Sequence, residues 1–176
     1  MILGSFLKVS HRDSIRDLYG MIVAQARLPT FYEAYGVPDT VEGRFDLIVL
    51  HLVLVLARLN DAEQGQRLFD AFCRDLDANL REMGVGDLAV PKRMHRFGEA
   101  FYGRQAAYTA AFAAPDPRIL VNALARNIFP GSADDAGPVR LARYARALLR
   151  ELEAQDTAAL LSGKVEFPEP ETVGTL

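Results

Sequence analysis

The sequence predicts an all-α fold, a single-domain bundle of about six to seven helices with an apolar central helix near residues 41–59. Nearly every segment repeats its apolar residues with the period of a helix. Proline and glycine cluster between these segments, where they end one helix and precede the next. A chain of 176 residues, half of them hydrophobic, is long enough to bury one substantial core. We expect a helical domain over residues 1–162 and an extended or loose C-terminal tail over residues 163–176.

Two helices are predicted before residue 40. The first has one apolar face, with Asp13 or Ser14 as its cap and Pro29 as its stop. Thr30-Phe-Tyr-Glu33 follows the capping-box pattern and predicts a short helix that ends at Gly36. The apolar face of the first helix consists of Ile15, Leu18, Tyr19, Ile22, Val23 and Ala26.

The segment from about Val41 to Leu59 is apolar almost all round, which is typical of a helix in the middle of a bundle. Its alternation of Leu and Val leaves a β-strand as the competing interpretation. The length of the segment and the capping residue Thr40 directly before it favour the helix.

Four longer segments continue the helical pattern: Ala62–Met83, Pro91–Ala113, Pro117–Phe129 and Val139–Gln155. Gly84 supplies a C-terminal stop for the first of them, and residues 129–138 form the clearest loop of the chain. Gly98 and Gly103 lie inside the second segment, where each costs about 1 kcal/mol relative to alanine. Close packing against another helix is the expected reason for both glycines.

Residues 91–104, called here the basic–aromatic segment, hold the strongest functional pattern. The chain carries a net charge of −3, so this local excess of cations is not typical of its surface. Cations beside aromatic side chains suit an anionic partner or a mixed apolar and acidic one. Met94 and Phe101 can instead belong to the core, with the charges on a solvated face. The residues predicted to contact a partner are Lys92, Arg93, Arg96, Phe97, Phe101, Tyr102 and Arg104.

No motif of the sequence predicts a catalytic residue, a metal ligand set or a cofactor site. Asp75-Leu-Asp-Ala-Asn79 begins like a calcium-binding loop, but that loop needs glycine at its sixth position and glutamate at its twelfth, and this chain has Leu80 and Gly86 there. His51 and His95 lack a supporting Cys/His cluster. Cys73 sits among apolar residues as a small buried side chain would. The weakly acidic composition argues against a DNA partner.

Three blocks of the sequence, in the same order, resemble the ubiquinol–cytochrome c chaperone family. The resemblance covers roughly residues 15–115. The first block is Tyr19–Asp39, and the second is Thr40-Val-Glu-Gly-Arg-Phe-Asp-Leu-Ile-Val-Leu-His-Leu52. The strongest is Asp75-Leu-Asp-Ala-Asn-Leu-Arg-Glu-Met-Gly-Val-Gly-Asp87, which runs on into Pro91-Lys-Arg-Met94 and Ala100-Phe-Tyr-Gly-Arg104.

This resemblance implies an all-α chaperone without enzymatic activity or cofactor. Its expected client is newly made cytochrome b, the haem-bearing membrane subunit of the cytochrome bc1 complex. A small partner protein, the ribosome and an anionic membrane surface are further candidate partners. Because the chain is short and has no Arg- and Ser-rich leader, we expect a bacterial relative in the cytoplasm, or peripheral at the cytoplasmic face of the inner membrane.

A haem-binding or haem-handover protein of the same pathway is the alternative function. It would use His95 or His51 as the haem ligand. An enzyme acting on a small ligand inside the bundle ranks last, because no coupled acid and base are apparent in the sequence.

Overall fold

The computed structural model describes residues 3–131 and 136–173, with side chains from Ser14 onward. All regular secondary structure in these residues is helical, which confirms the predicted all-α class. The count in this part of the chain is nine rather than six or seven. The helices are α1 (Leu3–Ala26), α2 (Pro29–Glu33), α3 (Val41–Leu59), α4 (Ala62–Glu82), α5 (Val90–Ala113), α6 (Arg118–Ile128), α7 (Ala136–Ala154), α8 (Thr157–Leu161) and α9 (Pro170–Val173).

Helix α3 has the bounds that the apolar run predicted, and it is not a strand. Every residue from Phe45 to Val55 is buried, because α3 packs against α1, α4, α5, α6 and α7. The Thr40 hydroxyl accepts a hydrogen bond from the Gly43 amide at 3.1 Å and so satisfies one of the first free N–H groups of the helix.

The first turn of α3 lies directly against the preceding loop. A Cβ atom on Gly43 would stand 2.0 Å from the carbonyl oxygen of Pro38, closer than two non-bonded heavy atoms can approach. Glycine at this position therefore sets how α3 enters the bundle.

A chain of hydrogen bonds crosses the core at the middle of α3. His51 donates from Nδ1 to the Leu47 carbonyl at 2.7 Å, and its Nε2 accepts from the Tyr144 hydroxyl at 2.9 Å. Gln25 in turn donates to the Tyr144 oxygen at 3.0 Å. Complete burial lowers the pKa of His51 to about 4, so the ring is neutral at physiological pH.

The two predicted helix starts before residue 40 were wrong. Helix α1 begins at Leu3, so Asp13 and Ser14 lie within the helix instead of capping it. Helix α2 begins at Pro29 rather than Thr30, because proline has the backbone angle of a first helical residue and no N–H to satisfy. The Thr30 hydroxyl bonds to the Glu171 carboxylate instead.

Residues 163–173, called here the C-terminal strap, lie against the bundle. Residues 163–169 contain no helix, in line with an extended segment, but they are not loose. The Tyr35 hydroxyl donates to the Pro170 carbonyl at 2.8 Å, and Gln25 Nε2 donates to the Pro168 carbonyl at 3.1 Å. Val165 is buried. The division of the chain at residue 162 stays a prediction.

The expectation of close packing at the two glycines of α5 was also wrong. A Cβ atom added to Gly98 or Gly103 would meet nothing within 4 Å outside the backbone of its own helix. Both glycines face open space, so helix packing does not account for them.

Candidate partner-binding surface

Helix α5 carries the whole basic–aromatic segment and divides it between core and surface. Its inward face consists of the buried residues Val90, Phe101, Tyr108 and Ala111. The cations Lys92, Arg93 and Arg96 are exposed to solvent. This division follows from the helical period. The sequence alone predicted the period but not which face of α5 is buried.

The two adjacent aromatic residues of the segment have different roles. Phe101 is only 1% exposed and its ring centroid lies 4.7 Å from that of Phe69 on α4. Phe101 is therefore a core residue and presents no surface to a partner. Tyr102 is 59% exposed, and its ring packs in a tilted arrangement against the same Phe69 ring, with 5.8 Å between the centroids.

Arg104 points back to α3 and forms an ion pair inside the protein. Its Nη2 atom lies 2.7 Å from Oδ1 of Asp46, and the side chains are 20% and 6% exposed. The guanidinium also lies over the Phe45 ring, 5.6 Å from its centroid, and donates to the Ala100 carbonyl at 3.2 Å. Arg104 is thus engaged within the protein, unlike the exposed Arg93 and Arg96.

Asp46 is a buried acidic side chain directly before the long apolar run of α3. Burial raises the pKa of its carboxyl group to about 6, although the Arg104 charge acts in the opposite direction. A carboxylate in such surroundings is costly unless it is well paired, so the site is chemically distinct from the rest of α3.

A cavity of about 370 Å³ opens between α3 and α5, called here the α3–α5 cavity. Its α5 residues recur at intervals of three and four, which places them on one face of the helix. The cavity therefore combines apolar walls with charged groups of both signs. It is lined by Val41, Glu42, Phe45, Asp46, Arg93, Arg96, Phe97, Ala100 and Arg104.

A second depression of about 370 Å³ continues from the first, called here the α4 groove. The two share Val41, Glu42, Phe45, Arg93 and Phe97. The groove extends along α4 and is bordered by Ile48, Phe72, Leu76, Leu80 and Met83. Val41 and Met83 are 52% and 59% exposed at its edge, so apolar side chains remain accessible there.

The structure brings four of the seven predicted residues together. Arg93, Arg96, Phe97 and Arg104 line the α3–α5 cavity. Tyr102 lies instead beside a depression of about 450 Å³ formed with residues 56–69, and Lys92 borders none of these three depressions.

The sequence interpretation missed the α3 side of the α3–α5 cavity, namely Val41, Glu42, Phe45 and Asp46. The one available indication was Asp46 itself, because an acidic residue directly before an apolar run is unusual in a buried helix.

The two histidines considered as haem ligands are placed very differently. Both ring nitrogens of His51 have hydrogen-bond partners in the core, so neither is free to bind iron in this conformation. The His95 side chain is 77% exposed, with its Nε2 atom 3.4 Å from Glu99. Within the described side chains, no three His, Cys, Asp or Glu residues cluster in a way that would hold a metal ion.

The relationship to known proteins follows from sequence and structure together. The sequence profile of the ubiquinol–cytochrome c chaperone family matches residues 33–167, more than half of the chain. The chain belongs to the ubiquinol–cytochrome c chaperone family. The matched range contains the α3, α4 and α5 residues of both depressions.

Two proteins are similar to this chain over most of their own length. The ubiquinol-cytochrome-c reductase complex assembly factor 1 of Xenopus laevis is 27% identical over 158 residues, which covers 84% of this chain and 77% of that protein. The crystal structure of the Cbp3 homolog from Brucella abortus superposes with a TM-score of 0.86 at 35% identity, over 98% of this chain and 99% of that one. In this member of the family, none of the described helices is long and apolar enough to span a bilayer.

Proposed function

We propose that this protein is a non-enzymatic assembly chaperone that binds newly made cytochrome b during biogenesis of the cytochrome bc1 complex. Membership of the ubiquinol–cytochrome c chaperone family supports the role in assembly, as does the likeness to an assembly factor of the reductase complex. The observation that carries the proposal is the continuous surface formed by the α3–α5 cavity and the α4 groove. It offers apolar walls and exposed arginines in one place.

This surface matches the chemistry of an unassembled membrane-protein segment. Such a segment exposes apolar side chains, which Val41, Phe97 and Met83 can cover. It also ends in polar or charged residues at the membrane boundary, where Arg93 and Arg96 can pair with acidic groups. Apolar contact supplies affinity and the charges guide orientation.

The proposed place of action is the cytoplasmic side of the inner membrane, where cytochrome b is inserted. The exposed cations Lys92, Arg93 and Arg96 lie along one helix, and anionic head groups attract each such charge by about 1 kcal/mol. The same cations also suit the phosphates of ribosomal RNA. The chain as a whole is acidic, however, which argues against a dedicated nucleic-acid interface.

The proposal is tested by capture of cytochrome b on the tagged protein from cells that express the bc1 complex. In the variant Arg93→Glu/Arg96→Glu we expect recovery of cytochrome b to fall about tenfold, because two attractive contacts become repulsive. The matched control is Arg143→Glu/Arg150→Glu, which reverses two exposed charges on α7 away from both depressions. Circular dichroism checks that both variants remain helical.

Capture should also weaken as salt concentration rises, because exposed charges are screened. Equal recovery of cytochrome b by the α5 variant and the α7 control would overturn the assignment of the surface. Absence of cytochrome b from the wild-type capture in mild detergent would overturn the chaperone proposal itself.

A further inference from the structure

The floor of the α3–α5 cavity holds a charge pair whose hydrogen bonding is incomplete. Asp46 Oδ1 is buried and lies near Arg104 Nη2, but among the described residues it has no aligned hydrogen bond. Arg104 Nε is buried without an acceptor in the same part of the chain. A buried donor without an acceptor, such as Arg104 Nε, is costly, so native proteins seldom retain one without a reason.

A third unpaired polar atom stands one helical turn further along α5. The hydroxyl of Tyr108 is fully buried and has no partner among the described residues. Burial raises the pKa of Tyr108 well above its usual value, and the nearby Asp46 carboxylate raises it further. The unsatisfied atoms therefore form one cluster where α3 and α5 meet.

The mouth of the same cavity carries two further arginines. Arg93 and Arg96 are exposed, and no described carboxylate lies within ion-pair distance of either. With Arg104 the cavity presents three guanidinium groups against the two carboxylates of Glu42 and Asp46. Its net charge favours an incoming anion.

The walls limit what kind of anion fits. Val41, Phe45 and Phe97 form an apolar lining suited to the methylene groups of a side chain. A carboxylate already stands against Arg104 in the form of Asp46, so the guanidinium is oriented for this chemistry. A doubly charged phosphate would meet stronger repulsion from Glu42 and Asp46 than a singly charged carboxylate.

We propose that the α3–α5 cavity is a recognition pocket for an acidic side chain of the bound polypeptide, whose carboxylate takes Arg104 over from Asp46 with help from Arg93 and Arg96. Assigning that polypeptide as the client rests on the proposed function. Asp46 acts as an internal competitor that fills the pocket when no client is bound. Burial raises the pKa of the Asp46 carboxyl group to about 6, so it takes up a proton more readily, which reduces the cost of leaving it without Arg104.

The pocket is tested directly with small probes on the full protein. N-acetyl-glutamate N-methylamide is titrated against the protein while the Arg104 Nε–H resonance is followed by NMR. The matched control, N-acetyl-glutamine N-methylamide, has the same shape without the charge. We expect the acid to shift the Arg104 resonance and the amide to leave it unchanged.

Substitutions then separate the roles of the lining residues. Asp46→Asn should tighten binding of the acidic probe about three- to tenfold, because the internal competitor is gone. Glu42→Gln, at an exposed position, should tighten binding as well, which keeps the test decisive if the buried variant folds poorly. Arg96→Gln should weaken binding, and Arg150→Gln on α7 should not change it.

Equal shifts from the acid and the amide, or tightening by neither Asp46→Asn nor Glu42→Gln, would overturn the pocket. Failure of the pocket leaves capture of cytochrome b and its sensitivity to Arg93 and Arg96 unaffected. Failure of the chaperone proposal, in contrast, would show as absent capture beside an intact charge-dependent shift. Short peptides spanning cytochrome b, each compared with its version carrying Asn or Gln for Asp or Glu, connect the two measurements. Binding that needs the acidic form supports the pocket.

Discussion

At the scale of single residues, the central feature is the ion pair between Asp46 and Arg104. The pair joins α3 to α5 through two side chains that are largely withdrawn from water. When one partner of such a pair is removed, the other remains as an uncompensated charge, and this cost exceeds any benefit of the pair itself.

We expect Arg104→Gln to lower the free energy of unfolding by about 3 kcal/mol, because Asp46 then stays buried without its counter-ion. Arg96→Gln, on the same helix, should change the free energy of unfolding by less than about 0.5 kcal/mol because Arg96 is exposed. Urea denaturation of both variants and the wild type measures the difference. Equal stability of the two variants would mean that the ion pair does not hold the helices together.

The same pair shows the limit of predicting a site from sequence. The sequence does not distinguish the three arginines Arg93, Arg96 and Arg104, and the helical period places Arg93 and Arg104 on the same face. Only the burial of Asp46 on another helix distinguishes a paired arginine from two free ones. Likewise, Phe101 and Tyr102 are neighbours in sequence, yet one is core and the other surface.

At the scale of helices, two glycines show which positions are fixed by a close contact and which tolerate a larger residue. Gly43 in α3 has the Pro38 carbonyl where a Cβ atom would go, whereas Gly103 in α5 faces open space. The two positions make a matched pair, since both lie within long helices.

We expect Gly103→Ala to raise the free energy of unfolding by about 0.5–1 kcal/mol, because alanine is the better helix former. Gly43→Ala should lower it by about 2 kcal/mol or more, because α3 must move away from the preceding loop. Thermal unfolding of the two variants decides this. A loss of stability in Gly103→Ala would indicate a contact at that position that the open space does not suggest.

Prediction of helices from sequence succeeded where many residues share one pattern. The nineteen residues of α3 carry a long apolar run and a cap at Thr40, so its bounds were recovered. Helices α8 and α9 contain five and four residues, too few to display a period. The start of α2 was predicted wrongly because Pro29 and Thr30 both fit a first turn, and local preference alone does not choose between them.

At the scale of the whole molecule, two buried titrating groups act on stability with opposite sign. The pKa of His51 falls from 6.5 to about 4 on folding, so its contribution is present above pH 6.5 and is lost as the pH falls towards 4. The pKa of Asp46 rises from 3.8 to about 6, so its contribution is present below pH 3.8 and is lost as the pH rises through 6.

We therefore expect Asp46→Asn to make stability fall more steeply between pH 6 and 4 than in the wild type, since His51 then acts without its opponent. His51→Gln should have the reverse effect and flatten or invert the dependence. Each contribution amounts to about 3 kcal/mol at most. Urea denaturation at several pH values measures the slopes, and parallel slopes in all three proteins would contradict both assignments.

The C-terminal strap has a consequence for the order in which the fold is completed during synthesis. Gln25 and Tyr35 belong to the first part of the chain to be made, yet their carbonyl partners are at Pro168 and Pro170. Helices α1 to α8 are all translated before those partners exist. Until then the Tyr35 hydroxyl is solvated by water and Gln25 keeps only its hydrogen bond to Tyr144, so the contacts that join the strap to the first 35 residues are the last to form.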